Sequence, residues 1–142
     1  MKEYVVSIDY SPITGIRNCD ESDYSGEDFY HTKLNKWFSE AFRSNEEMKI
    51  ILDGGDDGYG PSFRDEAFGN LIYDFSRKVV EKYLFIESPG DEMWKEEIEN
   101  ITYKNWEIRR TKGEEPRKTI HHEPWNRLVN GELVSKVWIN IK

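Results

Sequence analysis

Apolar side chains recur at every second position near the start of the chain. Tyr4, Val6 and Ile8 follow this spacing, and Ser11-Pro12 interrupts it. A period of two is typical of a β-strand with a buried face. The pattern therefore predicts a first strand over residues 4–10.

The next pattern is helical. Ser25 stands three residues before Asp28, a spacing typical of a helix N-terminus with a side-chain cap. Apolar residues then recur at intervals of three and four up to Ser44-Asn45. They are Tyr30, Leu34, Trp37, Phe38, Ala41 and Phe42. We expect an amphipathic helix that starts at Ser25 and packs one face inward.

Strands and helices continue to alternate along the chain. Residues 49–53 form a short apolar run that stops at a glycine-rich loop, as expected of a central buried strand. Helical spacing extends over 63–80, residues 83–86 predict another strand, and Ser88-Pro89 predicts the start of a further helix. This alternation predicts an α/β fold, with helices packed on a mixed or mainly parallel sheet.

The C-terminal part of the chain has a different character. Asn130-Gly131 separates two apolar runs at 125–129 and 133–141, which predicts a β-hairpin. Residues 103–124 give no clear pattern, although Trp106 and Ile108 alternate as they would in a strand. A chain of 142 residues has the length of one ordinary domain, so we expect a single domain.

Charge and composition narrow the classes of function. The formal net charge of −8 argues against direct binding of nucleic acid, because such binding depends on Lys and Arg. Cys19 is the single cysteine and has no neighbouring base or cation in sequence, so we expect it to be an inert thiol. The start of the chain lacks the apolar run of a secretory leader, and no run approaches the length of a membrane span. We expect a cytoplasmic protein with no membrane contact, metal or cofactor.

Several segments resemble a known family. Ser-Gly-Glu-Asp-Phe at 25–29 opens a helix, and Ile-Ile-Leu-Asp-Gly at 50–54 ends the central strand. Gly-Tyr-Gly-Pro-Ser-Phe at 58–63 then leads into Asp-Glu-Ala-Phe-Gly-Asn-Leu at 65–71. Together with Thr-Gly-Ile-Arg at 14–17, these segments resemble the bacterial and phage STAS-like domains called DUF4325. The resemblance covers residues 5–90 and implies a STAS-like sheet, with 91–142 as a divergent helix and hairpin extension.

The resemblance carries an implication for function. The wider STAS group is similar to anti-sigma-factor antagonists, which bind a switch-kinase ATPase and are turned off by phosphorylation of a serine. Ser62 matches that serine, but Pro61 and Phe63 replace the small residues around it. The resemblance implies a non-enzymatic regulatory domain that binds a protein partner through the strand-to-helix corner around Ser62. A switch-kinase-type ATPase is the implied class of partner.

The candidate binding or regulatory residues lie at this corner and in the loop before it. They are Tyr59, Ser62, Arg64, Asp65 and Glu66 at the corner, and Asp53, Asp56 and Asp57 in the loop. Ser62 followed three residues later by Asp65 predicts a helix cap, and regulatory phosphorylation of Ser62 is the alternative. A phosphate would add a charge of about −1.5 to −2 among these acidic residues, which would oppose it.

Two further interpretations concern single residues. Glu66 lies beside the buried face of its predicted helix, where we expect it to accept amides of the glycine loop and to hold the fold. His121, His122 and Glu123 have the composition of a metal site, but adjacent residues of a strand face opposite sides and His31 belongs to a distant helix. We therefore interpret the two adjacent histidines as a surface pair.

Two other functions stay open. The net charge and the acidic run over 20–28 fit a phage or mobile-element inhibitor whose surface imitates nucleic acid and blocks a host enzyme. An enzymatic function would have to use Asp53, Ser62 and Glu66. The sequence does not indicate that any two of them act as general base and nucleophile.

Overall fold

The computed structural model describes residues 1–141, which form a parallel sheet with helices packed on it and a C-terminal hairpin. The elements in chain order are β1 (Lys2–Val5), α1 (Val6–Asp9), α2 (Gly26–Phe29), a π-helical turn (Tyr30–Leu34), α3 (Asn35–Ser44), β2 (Met48–Ile51), α4 (Pro61–Phe75), α5 (Arg77–Tyr83), β3 (Leu84–Glu87), α6 (Glu92–Glu97), a second π-helical turn (Ile98–Thr102), α7 (Tyr103–Lys112), β4 (Trp125–Val129) and β5 (Glu132–Lys136). The predicted α/β fold with a hairpin extension is confirmed.

The sheet contains β1, β2 and β3 in that order, and all neighbouring strands run parallel. Met48 of β2 pairs with Lys2 of β1 and with Leu84 of β3. The central position predicted for β2 is therefore confirmed. Because the strands are parallel, their carboxyl ends open at the same edge of the sheet, where the glycine loop begins.

The first strand is shorter than predicted. It ends at Val5, and α1 follows, although the alternation continues to Tyr10. Two carboxylates explain the difference, since Asp9 accepts a hydrogen bond from the Val5 amide and Asp53 accepts one from the Ser7 amide. These side chains satisfy backbone donors that a longer strand would have paired in the sheet.

The predicted helix over 63–80 is broken in two. Ser76 has a φ of 80°, ends α4 and caps α5 by accepting a hydrogen bond from the Val79 amide at 3.4 Å. The apolar spacing continues through this break, so periodicity did not reveal it. By contrast, the predicted cap of the first long helix is confirmed, because the Ser25 hydroxyl accepts from the Asp28 amide at 3.1 Å.

The segment after β3 is mostly helical. Asp91 caps α6, so the helix starts after the predicted Ser88-Pro89 boundary. Trp106 and Ile108 lie in α7, and the strand-like alternation at these residues was misleading. The hairpin turns at Asn130-Gly131 as predicted, although β5 ends at Lys136 instead of continuing to residue 141. Within residues 1–141, no helix combines the length and apolar character needed to cross a bilayer.

Helix α4 is the centre of the packing. It is buried along most of its length, against α2 on one side and α7 on another. Gly69 lies against the indole ring of Trp106, which is itself buried and hydrogen-bonded to Asp65. The absence of a side chain at Gly69 therefore allows α7 to approach α4 closely.

We predict that Gly69→Ala destabilises the protein by about 1 to 3 kcal/mol, because the added methyl group would overlap the Trp106 ring. Urea unfolding followed by tryptophan fluorescence measures the change. Gly60→Ala is the matched control, since a methyl group there meets no atom within 4 Å and we expect a loss below about 1 kcal/mol. Equal losses in the two variants would contradict the close packing at Gly69.

Candidate functional site

The candidate site lies where the chain leaves the central strand and enters α4. We call residues 53–66 the β2–α4 corner. The left-handed φ values of Gly54, Gly55 and Gly58 fold the loop back on itself. A Cβ on Gly55 would lie 2.5 Å from the Pro12 carbonyl oxygen, so the loop also packs closely against the segment after α1.

Asp53 and Tyr59 close the base of this loop. The Tyr59 hydroxyl donates to Asp53 at 2.6 Å, and the Ser7 hydroxyl also donates to Asp53. Burial alone would raise the pKa of Asp53, but the hydrogen bonds from Ser7 and Tyr59 outweigh it and lower the pKa. The Tyr59 ring is buried against Trp94 and Phe63. Tyr59 therefore holds the loop and is not available as a surface contact.

Arg64 is also structural. It is buried, donates to the Tyr59 carbonyl and forms an ion pair with Glu97. The prediction that Arg64 lies on a binding surface is wrong, because the guanidinium ties the loop and α4 to α6.

Arg17 neutralises the acidic start of α4. Its Nη1 lies 2.7 Å from Asp65 and 3.1 Å from Glu66. Asp65 also accepts from the Trp106 indole, and Glu66 accepts from Asn70 at 2.7 Å. The predicted acceptance of glycine-loop amides by Glu66 is wrong, because its carboxylate accepts from Arg17 and Asn70 instead. Burial raises the pKa of Glu66, although nearby Lys118, Asn70 and Arg17 act in the opposite direction.

Ser62 does not cap α4. Gly60 occupies the N-cap position and Pro61 the first helical position, so Ser62 lies one residue inside the helix. The capping prediction for Ser62 and Asp65 is therefore wrong. Ser62 is half-buried and lines a shallow cavity of about 200 Å³ with Arg17, Asp65, Glu97 and Ile101 among its neighbours.

The remaining predicted residues lie at the tip of the loop. Asp56 and Asp57 are exposed, and the Asp56 backbone amide donates to the Pro12 carbonyl at 2.8 Å. The corner thus brings the predicted residues together and buries Tyr59, Arg64 and Glu66. Asp53, Asp56 and Asp57 are exposed, and Ser62 is half-buried.

The segments that contact the corner carry exposed aliphatic side chains. The Thr14 hydroxyl donates to the Gly58 carbonyl at 3.2 Å. On either side of Thr14, Ile13 is 53% exposed and Ile16 is 48% exposed. Met93 is 57% exposed beside Trp94, which packs on Gly58. Ile101 is 56% exposed and lines the Ser62 cavity. We call Ile13, Ile16, Met93 and Ile101 the aliphatic rim.

A second polar cluster was missed from the sequence. Glu27 is fully buried and accepts hydrogen bonds from the Cys19 amide, from Thr119 and from His122, whose Nε2 lies 2.6 Å away. Burial alone would raise the pKa of Glu27, but these hydrogen bonds, led by the one from His122, lower it strongly. Burial raises the pKa of the Cys19 thiol to about 12.

The interpretation of His122 as a surface residue is wrong. Its ring stacks on His31 with 3.6 Å between the ring centroids, and its side chain is only 7% exposed. His31 was assigned to a distant helix, and the fold brings it to His122. Burial also lowers the pKa of His31 strongly, with Lys118 and His122 acting in the same direction. His121, the neighbouring residue, is exposed as expected.

Asp74 forms a third polar cluster at the other end of α4. Its carboxylate accepts hydrogen bonds from the Trp125 indole at 3.1 Å and from Arg127 at 2.8 Å, and it also accepts from the Tyr30 hydroxyl. Burial raises the pKa of Asp74, while Arg127 opposes the shift. These contacts fix the hairpin to α4.

The chain was compared with models of protein families, with curated proteins and with solved structures, and none of them matches it. The STAS-like resemblance of residues 5–90 therefore stays a prediction.

Serine substitutions test the corrected cap assignment. Ser62→Ala is expected to change the free energy of unfolding by less than about 0.5 kcal/mol, because Ser62 makes no capping bond. Ser25→Ala should cost about 1 kcal/mol or more, because Ser25 caps α2 and is fully buried. Chemical denaturation of both variants measures the difference, and a larger loss for Ser62→Ala would restore the original assignment.

Removal of the Asp74 partner tests the hairpin anchor. We predict that Arg127→Leu costs about 3 kcal/mol, because it leaves a buried carboxylate with fewer partners. Arg117→Leu is the matched control: its ion pair with Asp20 is exposed, and its loss should cost less than about 1 kcal/mol. Thermal and urea unfolding compare the two. A comparable loss in both variants would contradict the anchoring role of Asp74.

Proposed function

We propose that the protein is a non-enzymatic regulatory domain that binds a protein partner through the β2–α4 corner and the aliphatic rim around it. The observation that supports this function is the exposure of Ile13, Ile16, Met93 and Ile101 beside an internally fixed loop. Apolar side chains exposed around an ordered loop can supply the apolar contact of a protein interaction site.

The corner is organised before any partner arrives. Tyr59, Arg64 and Arg17 fix the loop and the first turn of α4 through buried or half-buried contacts. A surface that is already ordered loses less conformational entropy on binding than a mobile loop would. The rigidity of the corner therefore favours a binding role for the residues left exposed around it.

Charge describes the partner more closely. Asp56 and Asp57 are exposed at the loop tip, and the whole chain carries a net charge of −8. Charge complementarity across an interface favours basic residues on the other side. We therefore propose a partner that places an apolar contact on the aliphatic rim and basic side chains opposite Asp56 and Asp57.

Ser62 is the proposed control point. It is half-buried beside Arg17 and Asp65, at the edge of the aliphatic rim. A phosphate would add a charge of about −1.5 to −2 next to Asp65 and would compete for Arg17. We propose that phosphorylation of Ser62 weakens binding of the partner. The STAS-like resemblance, in which this serine is the modified residue, supports the same proposal.

The alternative of an acidic nucleic-acid mimic has less support. Within the acidic run over 20–28, Glu27 is fully buried and Asp28 accepts a hydrogen bond from Tyr10. The run is therefore not a continuous exposed acidic face. An enzymatic reading has less support as well, since Asp53 pairs with Tyr59 and Glu66 pairs with Arg17, which leaves neither carboxylate free to act as a base for Ser62.

Affinity purification of the tagged chain from its native host, with quantitative mass spectrometry, tests the proposal. Ile101→Asp and Ser62→Asp should each reduce recovery of the partner about tenfold or more, whereas Ser62→Ala should retain it. Val134→Asp is the matched control, because Val134 is an exposed residue of the hairpin, which packs against the opposite end of α4.

The outcomes separate the proposed parts. Equal recovery with wild type and Ile101→Asp would rule out the aliphatic rim as the contact. Loss with Ile101→Asp and retention with Ser62→Asp would keep the interface and remove the phosphorylation switch. A complex that dissociates in moderate salt, and from which DNA displaces the protein, would favour the nucleic-acid mimic instead.

A further inference from the structure

Three side chains converge at one point: Cys19 from the segment before α2, Glu27 from α2 and His122 from the segment after α7. A sulfur of Cys19, a carboxylate oxygen of Glu27 and a ring nitrogen of His122 all lie within 4.8 Å of one another. Thiolate, carboxylate and imidazole are ligands that Zn²⁺ takes at about 2.0 to 2.3 Å. A tetrahedral ion would place such atoms about 3.3 to 3.8 Å apart, so small side-chain movements bring these ligands onto one ion.

The carboxylate of Glu27 is already oriented toward this point. Its Oε1 accepts from the Cys19 amide at 3.0 Å and from the Thr119 hydroxyl at 2.7 Å. Its Oε2 accepts from the Thr119 amide at 3.0 Å and lies 2.6 Å from the His122 Nε2. Hydrogen bonds from the chain to both oxygens fix the orientation of the carboxylate, as outer partners do for carboxylates that bind metals.

An independent observation points to the same place. Among residues 1–141, the two ring nitrogens of His31 are buried and have no hydrogen-bond partner. The residue is only 8% exposed, so solvent does not supply one. Buried polar atoms without a partner are costly and call for a bound group. The ring stacks directly on His122, so a ligand on an ion held by His122 would lie next to His31.

Lys118 is a buried cation close to the cluster. Its ammonium donates to Asn70 at 2.7 Å and lies over the rings of Tyr30 and Trp125. The carboxylates of Asp74, Glu66 and Glu27 all lie close enough to stabilise its charge. Its hydrogen bond goes to Asn70, and its charge is balanced by three carboxylates, which limits its repulsion of a dication at Glu27.

We infer that Cys19, Glu27 and His122 bind one Zn²⁺ ion and that a further position on the ion faces His31. Three protein ligands with an open fourth position are the arrangement of zinc sites that hold a water molecule. When the ion binds, the Cys19 thiol releases its proton to solvent, and His122 binds through Nε2 as a neutral imidazole that carries its hydrogen on Nδ1. This site is separate from the β2–α4 corner and does not depend on the proposed partner.

Zinc and cobalt titrations of the full chain test the inference. After treatment with EDTA and dialysis, wild type should bind one equivalent of Zn²⁺ in competition with a chromogenic chelator. With Co²⁺ it should show visible bands of a tetrahedral ion and a near-ultraviolet charge-transfer band from the thiolate. Cys19→Ser should lose the thiolate band, and His122→Ala should bind Zn²⁺ at least about tenfold more weakly.

His121→Ala is the matched control, because His121 is the adjacent histidine and is exposed. It should keep the zinc affinity and the cobalt spectrum of wild type. Circular dichroism and melting curves in EDTA establish whether each variant folds without metal. If the cluster variants do not fold, the wild-type cobalt spectrum still decides the matter. A wild type without stoichiometric zinc or without the thiolate band overturns the inference, as does an equal loss in His121→Ala and His122→Ala.

Discussion

The buried carboxylate of Glu27 joins two long segments that have little regular structure of their own. Asn18 and Cys19 approach it from the segment before α2, and Thr119 and His122 approach it from the segment after α7. A charge removed from water is tolerable only when its lone pairs are satisfied. Because the donors come from both segments, neither can adopt its native path unless the other is in place.

Helix α4 connects the segment that contains Cys19 to the hairpin. Asp65 and Glu66 at its start bind Arg17, which belongs to the same segment as Cys19. Asp74 near its end binds Arg127 of the hairpin. The two ends are separated by nine residues, or about 13 Å of helix. The corner and the hairpin are therefore attached to opposite ends of the same helix by ion pairs.

The features that were predicted from the sequence depend on local spacing. The central strand, the cap at Ser25 and the turn at Asn130-Gly131 follow from neighbouring residues, and the structure has all of them. The break at Ser76 and the stack of His31 on His122 were not predictable in this way. The break leaves the apolar spacing intact, and the two histidines come together only through tertiary folding, which sequence spacing does not encode.

The corner shows why a recognisable motif need not coincide with an exposed binding surface. The buried face of a surface helix can be inferred from its apolar stripe, but α4 is covered on most sides, so charged positions such as Arg64 and Glu66 are buried as well. Arg64 forms an ion pair with Glu97, and Glu66 forms one with Arg17, so both charges are paired within the chain. The exposed apolar area near the corner comes from Ile13, Ile16, Met93 and Ile101, which lie outside the motif. Binding specificity at such a corner would then be determined by the segments around the motif, while the motif itself holds them in position.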